Sequence, residues 1–173
     1  MRKNNIRIGN HSQQGVVLVV SLVILLVMTL IGISAMKVTG LEEKMAGNSR
    51  NMNLAFQAAE SALREAEKAL ATGTLPVFNN TNGYYKSTSP QKWKTLSSAS
   101  DWADATKVVV YAGDTLSGVN TKPAYIIEEL SALARSGTIE AGVPGVVRYY
   151  RITARGTGSD NNSTVMLQSV FRR

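Results

Sequence analysis

The sequence predicts an α+β protein: one long N-terminal helix, apolar in its first half and amphipathic in its second, packed on a C-terminal antiparallel β-sheet head. Three observations predict it. From Val16 to Met36 stand 21 residues without a charge, with only Ser21, Thr29 and Ser34 polar. From Met52 to Leu70 apolar residues return every three or four positions, the period of one helix face. Late in the chain two runs, Arg148–Arg155 and Thr164–Phe171, alternate in polarity with the period of a strand. The implied organisation is a leader over 1–15, an apolar helix over 16–36, its amphipathic continuation over 37–70 and a globular head over 71–173.

The apolar stretch decides the class. At about 1.5 Å rise per residue it spans roughly 30 Å, the thickness of a bilayer's hydrocarbon core. It is too long for a secretory h-region, and Ser34-Ala35-Met36 is a poor cleavage site of the A-x-A kind. Before it, Met1 to Gly15 is short, polar and basic, with Arg2, Lys3 and Arg7 and no acidic residue. Basic residues on that side hold the N-terminus in the cytoplasm, so Lys37 onward is expected on the far side of the membrane.

Composition excludes several functions. The formal charge is +7, and the leader's three cations supply part of it, leaving +4 from Val16 onward. The remaining Lys and Arg are scattered and form no basic stripe, so no nucleic-acid partner is expected. There is no cysteine and a single histidine, His11. Disulfides and thiolate metal sites are therefore excluded, and a histidine-based catalytic or metal centre has almost no material. Neither a catalytic residue nor a metal ligand nor a cofactor is assigned.

A basic leader ending in Gly15, followed at once by about 20 apolar residues that run into an amphipathic helix, resembles the class III signal of type IV pilins. The resemblance implies cleavage by a prepilin peptidase between Gly15 and Val16, and N-methylation of Val16. It departs from the family at Val20, the fifth mature position, where most pilins carry Glu. In the family that carboxylate is thought to neutralise the amino terminus of a neighbouring subunit. An ionised group in an apolar bundle is costly unless paired. A subunit with nothing above it gains nothing from one, so Val20 points to a place at or near the tip.

The helix has no proline before Pro76, and a single helix from Val16 to about Leu70 is roughly 80 Å long. Gly32, Gly40 and Gly47 weaken it by about 1 kcal/mol each relative to Ala, so bending or local melting is expected at Gly40 and Gly47. Met52, Phe56, Ala59, Leu63, Ala66 and Leu70 form the stripe, with Met52, Phe56, Leu63 and Leu70 as its large packing residues. It fits either the domain's own sheet or a thin coiled-coil seam. Glu60 with Arg64 and Glu65 with Lys68 have the spacing of local ion pairs.

Two segments here, Leu41-Glu-Glu-Lys-Met-Ala-Gly-Asn48 and Asn53-Leu-Ala-Phe-Gln-Ala-Ala-Glu-Ser-Ala-Leu-Arg64, resemble the N-terminal region of PilX-type minor pilins of the type IV pilus. The resemblance implies an inner-membrane subunit that helps prime pilus assembly. Its implied partners are prepilin peptidase, other minor pilins, the major pilin, a tip adhesin and the inner-membrane assembly platform.

Past Leu70, Thr72-Gly-Thr-Leu-Pro76 closes the helix and Asn79–Gly83 reads as a turn. Tyr84 to Asp104 is polar, pinned by Trp93 and Trp102. Lys107–Tyr111 and Ala124–Leu130 read as strands. Arg148–Arg155, with Tyr150, Ile152 and Ala154 on one face, and Thr164–Phe171, with Val165, Leu167 and Phe171 inward, form a hairpin around the Gly156–Asn162 loop. This ending, too, resembles the PilX-type C-terminus. No nucleophile–base pair stands out, and Gly156-x-Gly158 is too short for a dinucleotide fingerprint. Ser159–Ser163 is rich in oxygen ligands but lacks calcium-loop spacing, and reads as an ordinary turn. A type II secretion pseudopilin and a single-pass membrane sensor remain as alternatives, distinguished by secretion defects and by an uncleaved leader.

Overall fold

No proline interrupts residues 14–71, and the helix they form is the longest element among the described residues. It is α1, Gln14–Ala71, 58 residues. The computed structural model describes residues 14–86, 90–130, 133–134 and 146–173, so the leader up to residue 13 lies outside the described residues. The chain divides into two compact units, Met1–Ala46 and Gly47–Arg173. Helical hydrogen bonding continues through Gly40 and Gly47, and the division between the units falls at the latter.

In the first unit residues 15–46 are all helical and all exposed. The second unit holds the remainder of α1 and the head. Its elements are β1 (Tyr84–Lys86), α2 (Lys92–Thr95), a 3₁₀ turn (Asp101–Ala103), β2 (Val109–Val110), β3 (Ala124–Glu129), β4 (Leu133–Ala134), β5 (Val146–Val147), β6 (Tyr149–Thr157) and β7 (Thr164–Arg172). The main sheet runs β1-β3-β6-β7, with β2 also on β3, while β4 and β5 pair with each other.

The hairpin is as expected and slightly longer: β6 and β7 pair antiparallel from Tyr149↔Arg172 to Thr157↔Thr164. The sheet is mixed, not antiparallel throughout, because β1 lies parallel to β3 with Tyr84 opposite Ile127. That strand sits at the start of the polar Tyr84–Asp104 segment. Its three residues are too few to display a period, and only Tyr85 is buried. Lys107–Tyr111 shrinks to the two residues of β2, since Lys107 belongs to a turn.

The sheet has two covered faces. On one, Tyr125, Ile127, Tyr150, Ile152 and Ala154 pack on Ala62, Ala66 and Leu70 of α1. On the other, Ala124 and Ile126 are covered by Tyr85, Leu96, Trp102 and Val108 from the 84–110 excursion. Removing side chains such as Ile152 and Leu70 from water is worth about 1.5–3 kcal/mol each. Phe78 closes one end of the first layer, stacked on Tyr150 at 5.4 Å between ring centres.

The helix face on this sheet differs from the expected stripe. Ala55, Ala58, Ala59, Ala62, Ala66 and Leu70 are fully buried, whereas Met52 is 46% and Phe56 50% exposed. Leu63 is partly buried against the core. The expected and observed faces share Ala59, Ala66 and Leu70 and diverge toward the N-terminal end. There the strand approaches so closely that only alanine fits. A Cβ on Gly156 would collide with the Ala55 carbonyl oxygen and the Ala59 nitrogen, and one on Gly158 would lie 2.6 Å from the Asn51 oxygen. Glycine in a strand marks such a backbone approach.

Polar groups fasten the layers. Tyr125 and the Ala112 amide both donate to Glu65, at 3.4 and 3.1 Å, in place of the Lys68 partner its spacing suggested. The Ser169 hydroxyl donates to Glu67 at 3.0 Å. Glu60 and Arg64 pair as expected, at 2.9 Å. At the helix end, the Arg173 guanidinium donates to the carbonyls of Leu70 and Thr72, each at 2.8 Å, and of Gly73 at 3.2 Å. These are orphan acceptors at a C-terminus where the helix dipole favours a cation.

Candidate functional site

In the first unit the chemistry lies in the Val16–Met36 stretch, a helical surface without a charged group. Valine, leucine, isoleucine and methionine side chains from Val16 to Met45 are exposed all round the helix. The few hydroxyls are turned inward: Ser21 donates to the Leu18 carbonyl at 2.8 Å, Thr29 to Leu26 at 2.7 Å and Ser34 to Leu30 at 2.9 Å. Backbone groups are satisfied within the helix, the condition a segment must meet to stand in hydrocarbon. The helix is long and apolar enough to cross a membrane. Gly15 and Val16 lie in its first turn, which carries no acidic residue. Val20 is exposed one turn further on, and the first acidic residue in the helix sequence is Glu42.

In the second unit, Met52 and Phe56 stay available on the helix, while Leu63 and Leu70 belong to the core. The excursion over the far face of the sheet is held by a polar clasp. Lys107 Nζ contacts Asp101 at 2.8 Å and Asp104 at 3.7 Å, and the Ser98 hydroxyl donates to Asp101 at 2.7 Å. The hydrogen bond from Lys107, helped by those from Ser98, holds the Asp101 carboxyl down at about 2, and the same partner raises Lys107. Next to Asp101 in the chain, Trp102 is buried with its indole N–H on the Leu96 carbonyl at 2.9 Å. Trp93 packs at the rim of that cluster. Burial, with Tyr84 and Glu65 adding to it, pushes the Tyr125 hydroxyl well above its ordinary range.

A buried ion pair crosses the strands below. Glu128 is 1% exposed, accepts the Lys92 amide at 2.7 Å and faces Arg151 at 3.6 Å. Its second oxygen and the facing Arg151 nitrogen make no hydrogen bond.

Among the described residues no three metal-ligating side chains come together. The 159–163 turn uses its oxygens on its own surroundings: Asp160 accepts the Ser163 amide at 3.0 Å, Asn161 accepts the Asn120 side chain at 2.9 Å, and Ser159 bonds to Asn51 of α1. It anchors the hairpin to the helix. Sequence reasoning overlooked this close-approach seam of Gly156, Gly158 and the alanines. Its signal was present in alanines at helical spacing and a Gly-x-Gly at the end of a strand.

Two family models divide the chain between them. The PilX N-terminal model matches residues 14–64, and the model for the type IV pilus assembly protein PilX C-terminal region matches residues 64–173. No curated protein and no solved structure matches the chain. The first model ends where the second begins, together they cover all but the leader, and both agree with an apolar helix leading into an α+β head. The chain belongs to the PilX family of type IV pilus assembly proteins.

Proposed function

We propose that this chain is a minor pilin that helps prime type IV pilus assembly and stands at or near the pilus tip. It acts as a structural subunit and performs no catalysis. In this reading prepilin peptidase cuts between Gly15 and Val16 on the cytoplasmic side of the inner membrane, and Val16 becomes the methylated first residue. The helix then leaves lipid for a bundle of similar helices formed with other minor pilins and the major pilin, on an inner-membrane assembly platform and beneath a tip adhesin. The head faces the periplasm and then the surface.

One observation supports the proposal: the apolar helix bonds its hydroxyls back to its own carbonyls, so it exchanges lipid for neighbouring helices without leaving a polar group unpaired. Tip placement draws on Val20, which brings no carboxylate into the bundle. The test is Gly15→Leu. In cells with active peptidase, the wild-type membrane form should show an N-methylated Val16 by mass spectrometry, and the variant an intact leader with few surface pili. An intact leader in the wild type, or unchanged processing in the variant, would sink the proposal.

A further inference from the structure

On the outer face of the sheet, beside the clasp, lies a cleft of about 400 Å³ with Trp102, Val110, Lys122, Arg155, Thr157 and Asn161 among its lining residues. Among the described residues no acidic one lines it. Arg155 projects from β6 on the face it shares with its register partner Ala124. Its hydrogen bond is a long one, 3.5 Å to the Thr164 hydroxyl, and no carboxylate among the described residues comes within ion-pair distance. Lys122 donates to the Gly113 carbonyl at 3.0 Å and forms no ion pair among the described residues. Three other cations of the head, Lys107, Arg148 and Arg151, do face carboxylates. The Arg155 guanidinium is partly desolvated, enough to lower its proton affinity, and no carboxylate among the described residues compensates. A desolvated cation without a counter-charge is unfavourable unless something binds it.

The remaining lining specifies what would fit. The Asn161 carbonyl oxygen already accepts from Asn120, which leaves its amide N–H₂ as a donor. Trp102 and Val110 supply an apolar wall. The cleft is larger than a lone carboxylate requires and falls in the size range of sites that hold several heavy groups. The second unit carries 14 Lys and Arg against 10 Asp and Glu, so its field attracts acidic partners.

We propose that this cleft is a docking site for an acidic segment of another pilus subunit. A Glu or Asp carboxylate of that segment pairs with Arg155 and Lys122, and its methylenes lie on Trp102 and Val110. That the partner is a pilus subunit rests on the assembly reading; the carboxylate chemistry does not.

The experiment uses full-length protein in detergent micelles, with Trp93→Phe so that Trp102 alone fluoresces. The probe is a capped triglutamate peptide, and the control is the capped triglutamine peptide. Triglutamate should give a saturable Trp102 signal, with triglutamine at least tenfold weaker. Arg155→Gln should weaken triglutamate binding at least tenfold, Lys122→Gln at least threefold, and Lys86→Gln, outside the cleft, should leave it unchanged. Lys122 is exposed, so its variant decides the matter should Arg155→Gln fail to fold. Equal binding of the two peptides, or insensitivity to Lys122→Gln and to a folded Arg155→Gln, overturns the proposal. So does tenfold tighter binding of glucuronate, which would make the cleft a sugar-acid site. Surface pili undiminished by gene deletion would refute the assembly reading while leaving the peptide result standing.

Discussion

Gly156 of β6 lies against the backbone of Ala55 in α1 so closely that a single methyl group on it would overlap the Ala55 carbonyl oxygen. The obstacle is main chain on both sides, so no side chain can rotate away. Gly156→Ala should therefore destabilise the protein by about 3 kcal/mol, the upper range of overpacking effects. A thermal melt of the full-length protein in detergent should show a fall on the order of 10 °C. A change under about 1 °C would mean that the strand and helix can separate freely.

Phe56 makes the opposite case. It stands half exposed on the same helix, and Phe56→Ser should change folding stability by less than about 1 kcal/mol. If the exposed residues of this helix meet neighbouring subunits, surface pilus yield should fall while the level of protein in the membrane does not. Immunoblots of sheared pili and of membranes separate the two effects.

Arg173 fills acceptors that the helix leaves open at its end. Arg173→Ala should cost about 1–2 kcal/mol, the usual range for charge-assisted bonds and dipole contacts together. Amide hydrogen exchange near Leu70 and Thr72 should speed up, with Ile152 little changed.

Glu128 and Arg151 should behave as a coupled pair. Arg151→Met leaves a carboxylate buried alone and should destabilise by about 3 kcal/mol. Adding Glu128→Gln should recover a large part of that loss. Urea titrations of the single and double variants measure the coupling, and strict additivity would show that the 3.6 Å approach carries no energy.

The Asp101 clasp sets an acid limit. Its folded carboxyl is depressed to about 2 from the ordinary 3.8, so its contribution is complete above pH 4 and is lost as pH falls through 2. Trp102, buried beside it, reports the change. In a Trp93→Phe background its fluorescence should shift with a midpoint near 2, and Asp101→Asn should abolish that step. A midpoint near 4 would show that Lys107 and Ser98 do not hold the group in solution.

The parts of this molecule with long-range period were legible in its sequence. Val16–Met36 declares its solvent by the absence of charge, and Tyr150, Ile152 and Ala154 alternate as they pack. What could not be read is set by close contact. Ala55, Ala58 and Ala62 look weaker than Met52 and Phe56 on any hydrophobic scale, yet the strand glycines make the small side chains the buried ones. β1 was missed because three residues cannot show a period and its partner β3 lies about forty residues on. Arg155 and Lys122 were not singled out because what distinguishes them is the cleft they share, a property of three-dimensional neighbours. The leader glycine and Val20, by contrast, are meaningful through position along the chain.

Two side chains near the end of the chain, Ser169 and Arg173, tie β7 to Glu67 and to the last carbonyls of α1. Traction on the head's portion of the helix therefore passes into a nine-residue ladder with β6, and from there into β3. Force is spread over many hydrogen bonds loaded side by side, and the head serves as a brake on unravelling whenever its helix is drawn out.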